Sequence, residues 1–505
     1  MIFSMVFSSV IFLFIFLPAV LLVYYVLPGR KAKNLVLLVA SLFFYFWGEG
    51  LLVVILLASV AINYLSGLLI ASARQSLGMK RLFLALGVVL NLALLGYFKY
   101  FDFAAGILNM GLHTEIAMRD IALPIGISFF TFQGMTYIID LYNGKFAPQK
   151  NPFKLCLYIA IFPPLIAGPI LRYDDIGGMI DERRESVSHF TEGISRFVCG
   201  LAKKVLIANN VAVIADAVFT APVDTHSAAT LWIGALAYTF QIYFDFSGYS
   251  DMAIGLGLMF GFRFKENFDH PYASKGVREF WRRWHISLSS FFRDYLYIPL
   301  GGNRRGNVYI NLIIVFFATG LWHGAHYTFV IWGLWHGFFI VIENIIRKRK
   351  KAVPEVQAIQ HGCLPDGTHS QNGAPPPPRR HVFKPLLGRL YTLLVVVFGW
   401  VLFRSDSFSY AWAYMKGMAL FQNGAAIKVS ALFYLDSFNI LVLIAAALFS
   451  FPLSGALRAL FKGRLLAGKD AAYQALRVAC LAALLLWSAV NVIDSGYNPF
   501  IYFRF

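Results

Sequence analysis

Charge is scarce in this chain. Of its 505 residues only 14% are Asp, Glu, Lys or Arg, against about 25% in an ordinary soluble domain. Acidic residues are the scarcer sign, 26 against 44 basic ones, which leaves a formal net charge of +18. Four cysteines, Cys156, Cys199, Cys363 and Cys480, are too few and too scattered for a disulfide framework or a zinc site. A Walker loop, a nucleophile elbow and a metalloprotease motif are all missing. What fills the sequence instead is apolar: 58% of it is hydrophobic, with 49 Phe, 25 Tyr and 10 Trp. A soluble core stops growing at roughly 250–300 residues, so this much apolar surface needs lipid around it. A polytopic membrane protein of about 11–13 crossings is expected.

The positive charge has a local explanation. Basic residues collect in cytoplasmic loops during insertion, and no basic domain stands apart from the apolar runs, so nucleic acid is not an expected partner. The first run, MIFSMVFSSVIFLFIFLPAVLLVYYVLP, has neither a basic start nor a small-residue cleavage site and reads as a retained helix. Arg30, Lys31 and Lys33 follow it, placing that loop in the cytoplasm. Runs at 34–47 and 50–72 turn around Gly48-Glu49-Gly50, and a span at 82–98 follows Arg74, Lys80 and Arg81. Between 121 and 213 the apolar runs are broken by Pro and Gly, which membrane depth tolerates only where protein or a cavity covers the freed backbone. Lys203-Lys204 in mid-segment suggests a helix lying in the interface. Further spans fall at 228–246, 248–262, 308–322, 327–346, 385–403, 434–455 and 475–493. Residues 347–384, from RKRKK to PPPPRR, read as a basic, Pro-rich, disordered cytoplasmic linker inside one transmembrane domain (1–346 and 385–505). His361, Cys363 and His369 within it match no zinc spacing, and no metal is expected.

A pentapeptide occurs twice: Gly320-Leu321-Trp322-His323-Gly324 and Gly333-Leu334-Trp335-His336-Gly337. Ionisable residues inside spans are costly and mark pathways or reaction centres by default. Two histidines in matched contexts outweigh the plainer reading of one histidine bonded to a carbonyl, and His326 is a third candidate. Arg304-Arg305 before one span and Arg347 to Lys351 after the next put both ends of this hairpin in the cytoplasm. His323 then falls at or below the outer mouth of the hairpin, with His336 about 15 Å deeper, near mid-bilayer, at 1.5 Å per residue. A second feature is KGVREFWRRWHISLSSFFRDYLYIPL, residues 275–300. Arg278, Arg282, His285, Ser289 and Arg293 make one polar stripe at helical spacing, opposite Trp281, Trp284, Leu288, Phe291, Phe292 and Tyr295. Such a helix either lies on an anionic membrane surface or holds the phosphates of an activated donor. Asp245, Ser247 and Asp251 can line a cavity or satisfy one another. Gly255-x-Gly257-x-x-x-Gly261 lacks a preceding strand and reads as helix packing.

Together, QIYFDFSGYSDMAIGLGLMFGFRFKENFDHPYASKGVREFWRRWHISLSSFFRDYLYIPLGGNRRG and ATGLWHGAHYTFVIWGLWHG resemble the membrane-bound O-acyltransferases. The likeness is to the bacterial branch of alginate O-acetyltransferases and teichoic-acid D-alanyltransferases. MVFSSVIFLFIFLP and NPFIYFRF lean toward the alginate side. The resemblance implies an all-α bundle with re-entrant and amphipathic helices around a central tunnel, in a bacterial cytoplasmic (inner) membrane. It implies that acetyl-CoA, a donor substrate and not a resident cofactor, enters from the cytoplasm, and that an extracytoplasmic partner protein passes the acyl group to a polysaccharide. The family's motif histidine corresponds to His323, the second to His336, and the FWRRWHIS histidine to His285. His323 and His336 are the expected catalytic residues, with His285, Asn267 and Asp245 supporting. Arg278, Trp281, Arg282 and Arg283 are the expected donor-binding set. D-alanyl transfer to teichoic acid is the alternative activity, and a transporter the remote one. A transporter should show repeated halves, and only the pentapeptide repeats.

Overall fold

The computed structural model describes residues 5–73, 75–360, 383–420, 429–452, 470–494 and 500–501. Among them the secondary structure is helical, and the one β-type pairing is an isolated bridge between His226 and Val429. Six stretches are long and apolar enough to span a bilayer: Arg30–Ser72, Leu77–Leu112, Val187–Thr220, Tyr327–Lys348, Pro385–Arg404 and Gln474–Asp494. Three shorter apolar helices, Phe12–Val26, Val308–His323 and Ser437–Phe449, join them. This is an all-α polytopic membrane protein.

Helix α1 (Leu17–Val26) leads to α2 (Arg30–Glu49), and the chain turns at Gly50, whose φ of 57° favours glycine, into α3 (Val53–Ser72). The basic loop after α1 is fastened where the sequence expects a cytoplasmic face. Arg30 pairs with Glu185 at 2.5 Å and reaches the Arg183 carbonyl, while Tyr24 donates to Glu185 at 2.6 Å. Burial raises the Glu185 carboxyl, but the hydrogen bonds from Arg30 and Tyr24 outweigh it and bring it down to about 2. Helix α4 (Leu77–Leu95) continues through a π-helical turn, Gly96–Tyr100, into α5 (Phe101–Leu112).

The Pro- and Gly-broken region is a re-entrant piece. After α6 (Ile127–Tyr142), α7 (Pro152–Ala160) rises and stops at Ile161, and α8 (Phe162–Leu165) turns the chain back. Residues 155–171 are all buried, so the non-helical backbone there is covered by protein, as membrane depth requires. Both ends return to one face: Gln149, just before α7, donates to Tyr173 at 2.9 Å, and Tyr173 opens α9 (Tyr173–Glu182).

Helices α10 (Val187–Ala202) and α11 (Asn209–Thr220) are joined by a π-helical turn, Lys203–Ala208. They pack along α12 (Ala228–Met259), a single unbroken helix. The expected division of that region into spans 228–246 and 248–262 is overturned. Gly248 does not turn the chain; it lets helices touch. A Cβ on Gly248 would lie 2.8 Å from the Gly200 carbonyl, and one on Gly255 would lie 2.7 Å from that of Gly193. Gly255 therefore serves helix packing, as read from the sequence. Lys203 and Lys204 are likewise held within the protein and not in a headgroup layer. Lys203 pairs with Asp251 at 2.6 Å and Lys204 with Asp245 at 2.8 Å, the latter pair almost wholly buried.

The segment expected as one amphipathic helix is two short ones, α13 (Val277–Arg283) and α14 (Ile286–Phe292). Its aromatic side is buried in the protein, so it is not a helix resting on the membrane surface. Helices α15 (Val308–His323) and α16 (Tyr327–Gln360) form the hairpin carrying the duplicated pentapeptide. Helix α16 continues into the stretch expected as linker; the rest of that stretch, 361–382 with His361, Cys363 and His369, lies outside the described residues. The remaining helices are α17 (Phe383–Arg404), α18 (Phe408–Leu420), α19 (Ser437–Phe449) and α20 (Asp470–Asp494).

Candidate active site

The two pentapeptides meet each other. Gly320 of α15 and Gly333 of α16 sit at the crossing, where a Cβ on either would strike the partner backbone, at the Phe329 and Phe316 carbonyls respectively. The leading glycines set the backbone approach, and the trailing Gly324 makes room for the Phe329 ring, which a Cβ there would strike. Three residues beyond Gly320, α15 ends at His323, which is buried, and Gly324 is extended (φ −172°). The histidine is thus carried on a helix terminus fixed by a backbone contact one turn away.

That terminus is gripped from the side by the π-helical turn after α4. Lys99 Nζ donates to the Trp322 carbonyl at 2.5 Å and to Ser128 Oγ at 3.3 Å, and Tyr100 donates to the Leu321 carbonyl at 2.8 Å. Two carbonyls that the helix end leaves without an intrahelical partner are satisfied this way. Beside them lies a cavity of about 170 Å³ lined by Lys99, Gly126, Ser128, Phe129, Ile166 and His323 among others. Ile166 comes from the re-entrant piece, which explains why that irregular backbone reaches so far in.

A second cavity, about 360 Å³, opens among the basic residues of α13 and α14. Arg278, Trp281, Arg282, Ser289 and Arg293 line it, with Phe316 and Thr319 of α15 closing the far wall. Arg283 is not part of it. One residue further round the helix, its guanidinium meets Glu279 at 3.0 Å and Asp269 at 3.6 Å. His285 also leaves the stripe, because the chain breaks there: its φ is 44°, the left-handed region. Its ring turns inward, with Nδ1 3.2 Å from Oδ1 of Asn267. Asn267 in turn donates to Ser250 at 3.1 Å and accepts from Ser287 at 2.9 Å. His285 and Asn267 act as one buried polar unit beside Phe246, whose ring is 4.6 Å away.

His336 occupies a different setting from His323. It sits in mid-helix, wholly buried, among the rings of Trp281 (5.2 Å), Trp332 (5.3 Å) and Phe280 (6.4 Å, near-parallel). Neither ring nitrogen has a hydrogen-bond partner among the described residues. Gly399 of α17 makes room for it: a Cβ there would lie 2.7 Å from His336 Nε2. Trp332 links the two histidines, its ring 4.9 Å from His323 and 5.3 Å from His336, each edge-on, so the two rings lie closer than the expected depth difference of about 15 Å. His326 lies outside this cluster, in a third cavity of about 250 Å³ with Thr328, Arg404 and Asp406.

Two histidines joined through an aromatic cluster, one lining a cavity and one packed on Trp281, which lines the basic cavity, make a candidate site across α13 to α17. Comparison with known proteins fits it to a family. The model of the membrane-bound O-acyltransferases matches residues 42–368, a range that includes the basic segment and both pentapeptides. The chain belongs to the membrane-bound O-acyltransferase family. It is 45% identical to the probable alginate O-acetylase AlgI of Pseudomonas aeruginosa over 83% of this chain and 75% of that one. A protein of the same description from Azotobacter vinelandii is 41% identical over 99% of this chain and all of its own length. The peptidoglycan O-acetyltransferase of Helicobacter pylori is 36% identical over 83% and 80%.

As a membrane-bound O-acyltransferase, the protein needs its site at membrane depth, and the expected site residues divide. His323, His336, Trp281, Arg278 and Arg282 fall in or against the two cavities and the cluster between them. Arg283 falls outside. Asp245 takes the Lys204 ion pair and accepts the Ile501 backbone N–H at 2.8 Å. It thereby holds Ile501 against the small gap shared by Phe246, Trp284, Phe403 and His323. Lys99 and Ser128 were missed by sequence reasoning. Lys99 lies one residue past a span read as ending at 98, so it passed for a flanking charge. A lone lysine in GYFKYFDF was the available signal.

Proposed function

We propose that the protein moves an acetyl group from cytoplasmic acetyl-CoA to a hydroxyl acceptor near the outer face, for O-acetylation of an extracytoplasmic polysaccharide through a partner protein. One observation carries the reading: an arginine-lined cavity and a histidine-lined cavity both border one aromatic cluster, which gives a donor and an acceptor separate approaches to it. The names borne by the relatives, alginate O-acetylase and peptidoglycan O-acetyltransferase, support polysaccharide as the final acceptor. Arg278 and Arg282 supply forked charged donors suited to phosphate, with Trp281 a flat wall beside them, while the Arg293 fork is taken by Asp294.

In the proposed step the acceptor hydroxyl oxygen attacks the thioester carbonyl and a ring nitrogen of His323 takes the proton. The tetrahedral species collapses with cleavage of the C–S bond, forming the ester, and the thiolate recovers the proton from His323. General-base assistance of this kind contributes roughly 10²–10⁴-fold. His336 acts at one remove, holding Trp332 and Trp281 in place, and His285 with Asn267 fixes the break between α13 and α14. The test is donor choice: the reconstituted protein, offered labelled acetyl-CoA or a D-alanyl-charged carrier protein, is expected to pass on acetyl alone. Transfer from the D-alanyl carrier with acetyl-CoA ignored would overturn the acetyl assignment in favour of D-alanyl transfer.

A further inference from the structure

Lys99 is an odd residue for its place. Its amine has three hydrogen-bonding directions when protonated. The described residues supply a carbonyl at 2.5 Å, a hydroxyl at 3.3 Å and the face of Trp322 at 5.7 Å. Among the described residues no carboxylate pairs with it, whereas Lys203 has Asp251, Lys204 has Asp245 and Arg404 has Asp216. An unpaired cation at membrane depth is expensive and by default functional. This one lines the same cavity as His323.

The chemistry of that cavity supplies the missing anion. When a hydroxyl attacks a thioester, negative charge develops on the carbonyl oxygen at the same carbon that receives the attacking oxygen. If His323 takes the proton of that hydroxyl, the oxyanion forms within a few ångströms of His323, in the space Lys99 faces. The first turn of α6, Ile127–Tyr142, forms another wall and adds the positive end of its dipole, though the amine carries the argument. We propose that Lys99 is a further catalytic residue, whose ammonium stabilises the oxyanion of acetyl transfer with Ser128 fixing its direction. A charge held at a helix-end carbonyl in a water-poor site needs no rearrangement at the moment of reaction, which is what makes such donors effective. The proposal rests on the reading of His323 as the base. No net electron or proton change is added to the step, since the charge appears and vanishes within it.

The test uses the full-length protein in vesicles with acetyl-CoA, following CoA release and acetyl transfer together. Lys99→Gln keeps a donor for the Trp322 carbonyl and removes the charge; Lys99→Arg keeps both. The Gln variant is expected to lose roughly a hundredfold in kcat, with the KM for acetyl-CoA and the melting temperature unchanged. The Arg variant should regain most of that rate. The fractional loss should be the same with a neutral glucose oligomer, a uronate oligomer or water as acceptor. An Lys99→Gln variant within twofold of wild type would leave Lys99 as a helix-end clamp and overturn the proposal, as would an Arg variant no better than Gln. A loss confined to the KM of the carboxylate-bearing acceptor would also overturn it, making Lys99 a contact for the acceptor. Wild-type protein that consumes no acetyl-CoA defeats the functional reading itself, and this inference with it. Wild-type turnover with an undiminished Gln variant defeats this inference alone.

Discussion

The same five residues, Gly-Leu-Trp-His-Gly, end in two different jobs. At 320–324 the histidine closes a helix, its neighbouring carbonyls are held by Lys99 and Tyr100, and its ring faces a cavity. At 333–337 the histidine is in mid-helix, packed among Trp281, Trp332 and Phe280, with Gly399 against its ring nitrogen. Local sequence is identical, so the difference comes from where each copy falls on its helix and what packs across it. A terminus leaves polar backbone to be capped and here borders a cavity. A helix middle offers only side-chain packing. A repeated motif here identifies a helix crossing, and the helix end decides which copy faces a cavity.

Several changes break or sharpen that contrast. The largest effect belongs to His323→Ala: a fall of at least about a hundredfold in acetyl transfer is expected, with little change in folded protein. His326→Ala, in the neighbouring cavity, should cost far less. Next is Arg282→Ala, which removes a charged contact worth about 1.5–3 kcal/mol from the arginine-lined cavity and should raise the KM for acetyl-CoA roughly ten- to a hundredfold. Arg283→Ala is its control, because Arg283 is engaged with Glu279 and Asp269, and donor KM should stay within twofold. Equal effects at both positions would remove the distinction between the arginine lining the cavity and the one held by Glu279 and Asp269.

Smaller effects probe the packed copy. Gly399→Ala sets a methyl 2.7 Å from His336 Nε2 and should destabilise the protein by about 1–3 kcal/mol through overpacking, read as a lower melting temperature. His336→Phe keeps an aromatic ring in the cage and should cost on the order of tenfold in rate, in keeping with a positioning role. If His336→Phe matched His323→Ala, the two copies would share the chemistry.

Much of this was legible in the sequence, and the exceptions share a cause. Composition alone required a polytopic bundle, and the positive-inside pattern and the paired pentapeptide led to the α15–α16 hairpin. The polar stripe at Arg278, Arg282, Ser289 and Arg293 is real, yet one helix drawn through it is not. The left-handed residue at His285 is a tertiary decision, fixed by Asn267 from a distant segment. Gly248 read as a break because glycine both turns chains and lets helices touch, and only the partner, Gly200, tells which. Lys203 and Lys204 read as interfacial because their counter-ions, Asp251 and Asp245, lie more than forty residues away on α12. Lys99 was overlooked because it lies one residue past a span read as ending at 98, where a lysine passes for a flanking charge.

The proposed transfer runs from one side of the membrane to the other through the aromatic cluster. The direct measurement places the protein in sealed vesicles of known orientation, with labelled acetyl-CoA confined to one compartment and the hydroxyl acceptor to the other. Acetyl is predicted to cross only when acetyl-CoA is on the face bearing Arg30, Arg278 and Arg282, and CoA is predicted to remain on that side. Equal consumption of acetyl-CoA from both faces, or acetyl ester formed on the side that held the donor, would contradict it.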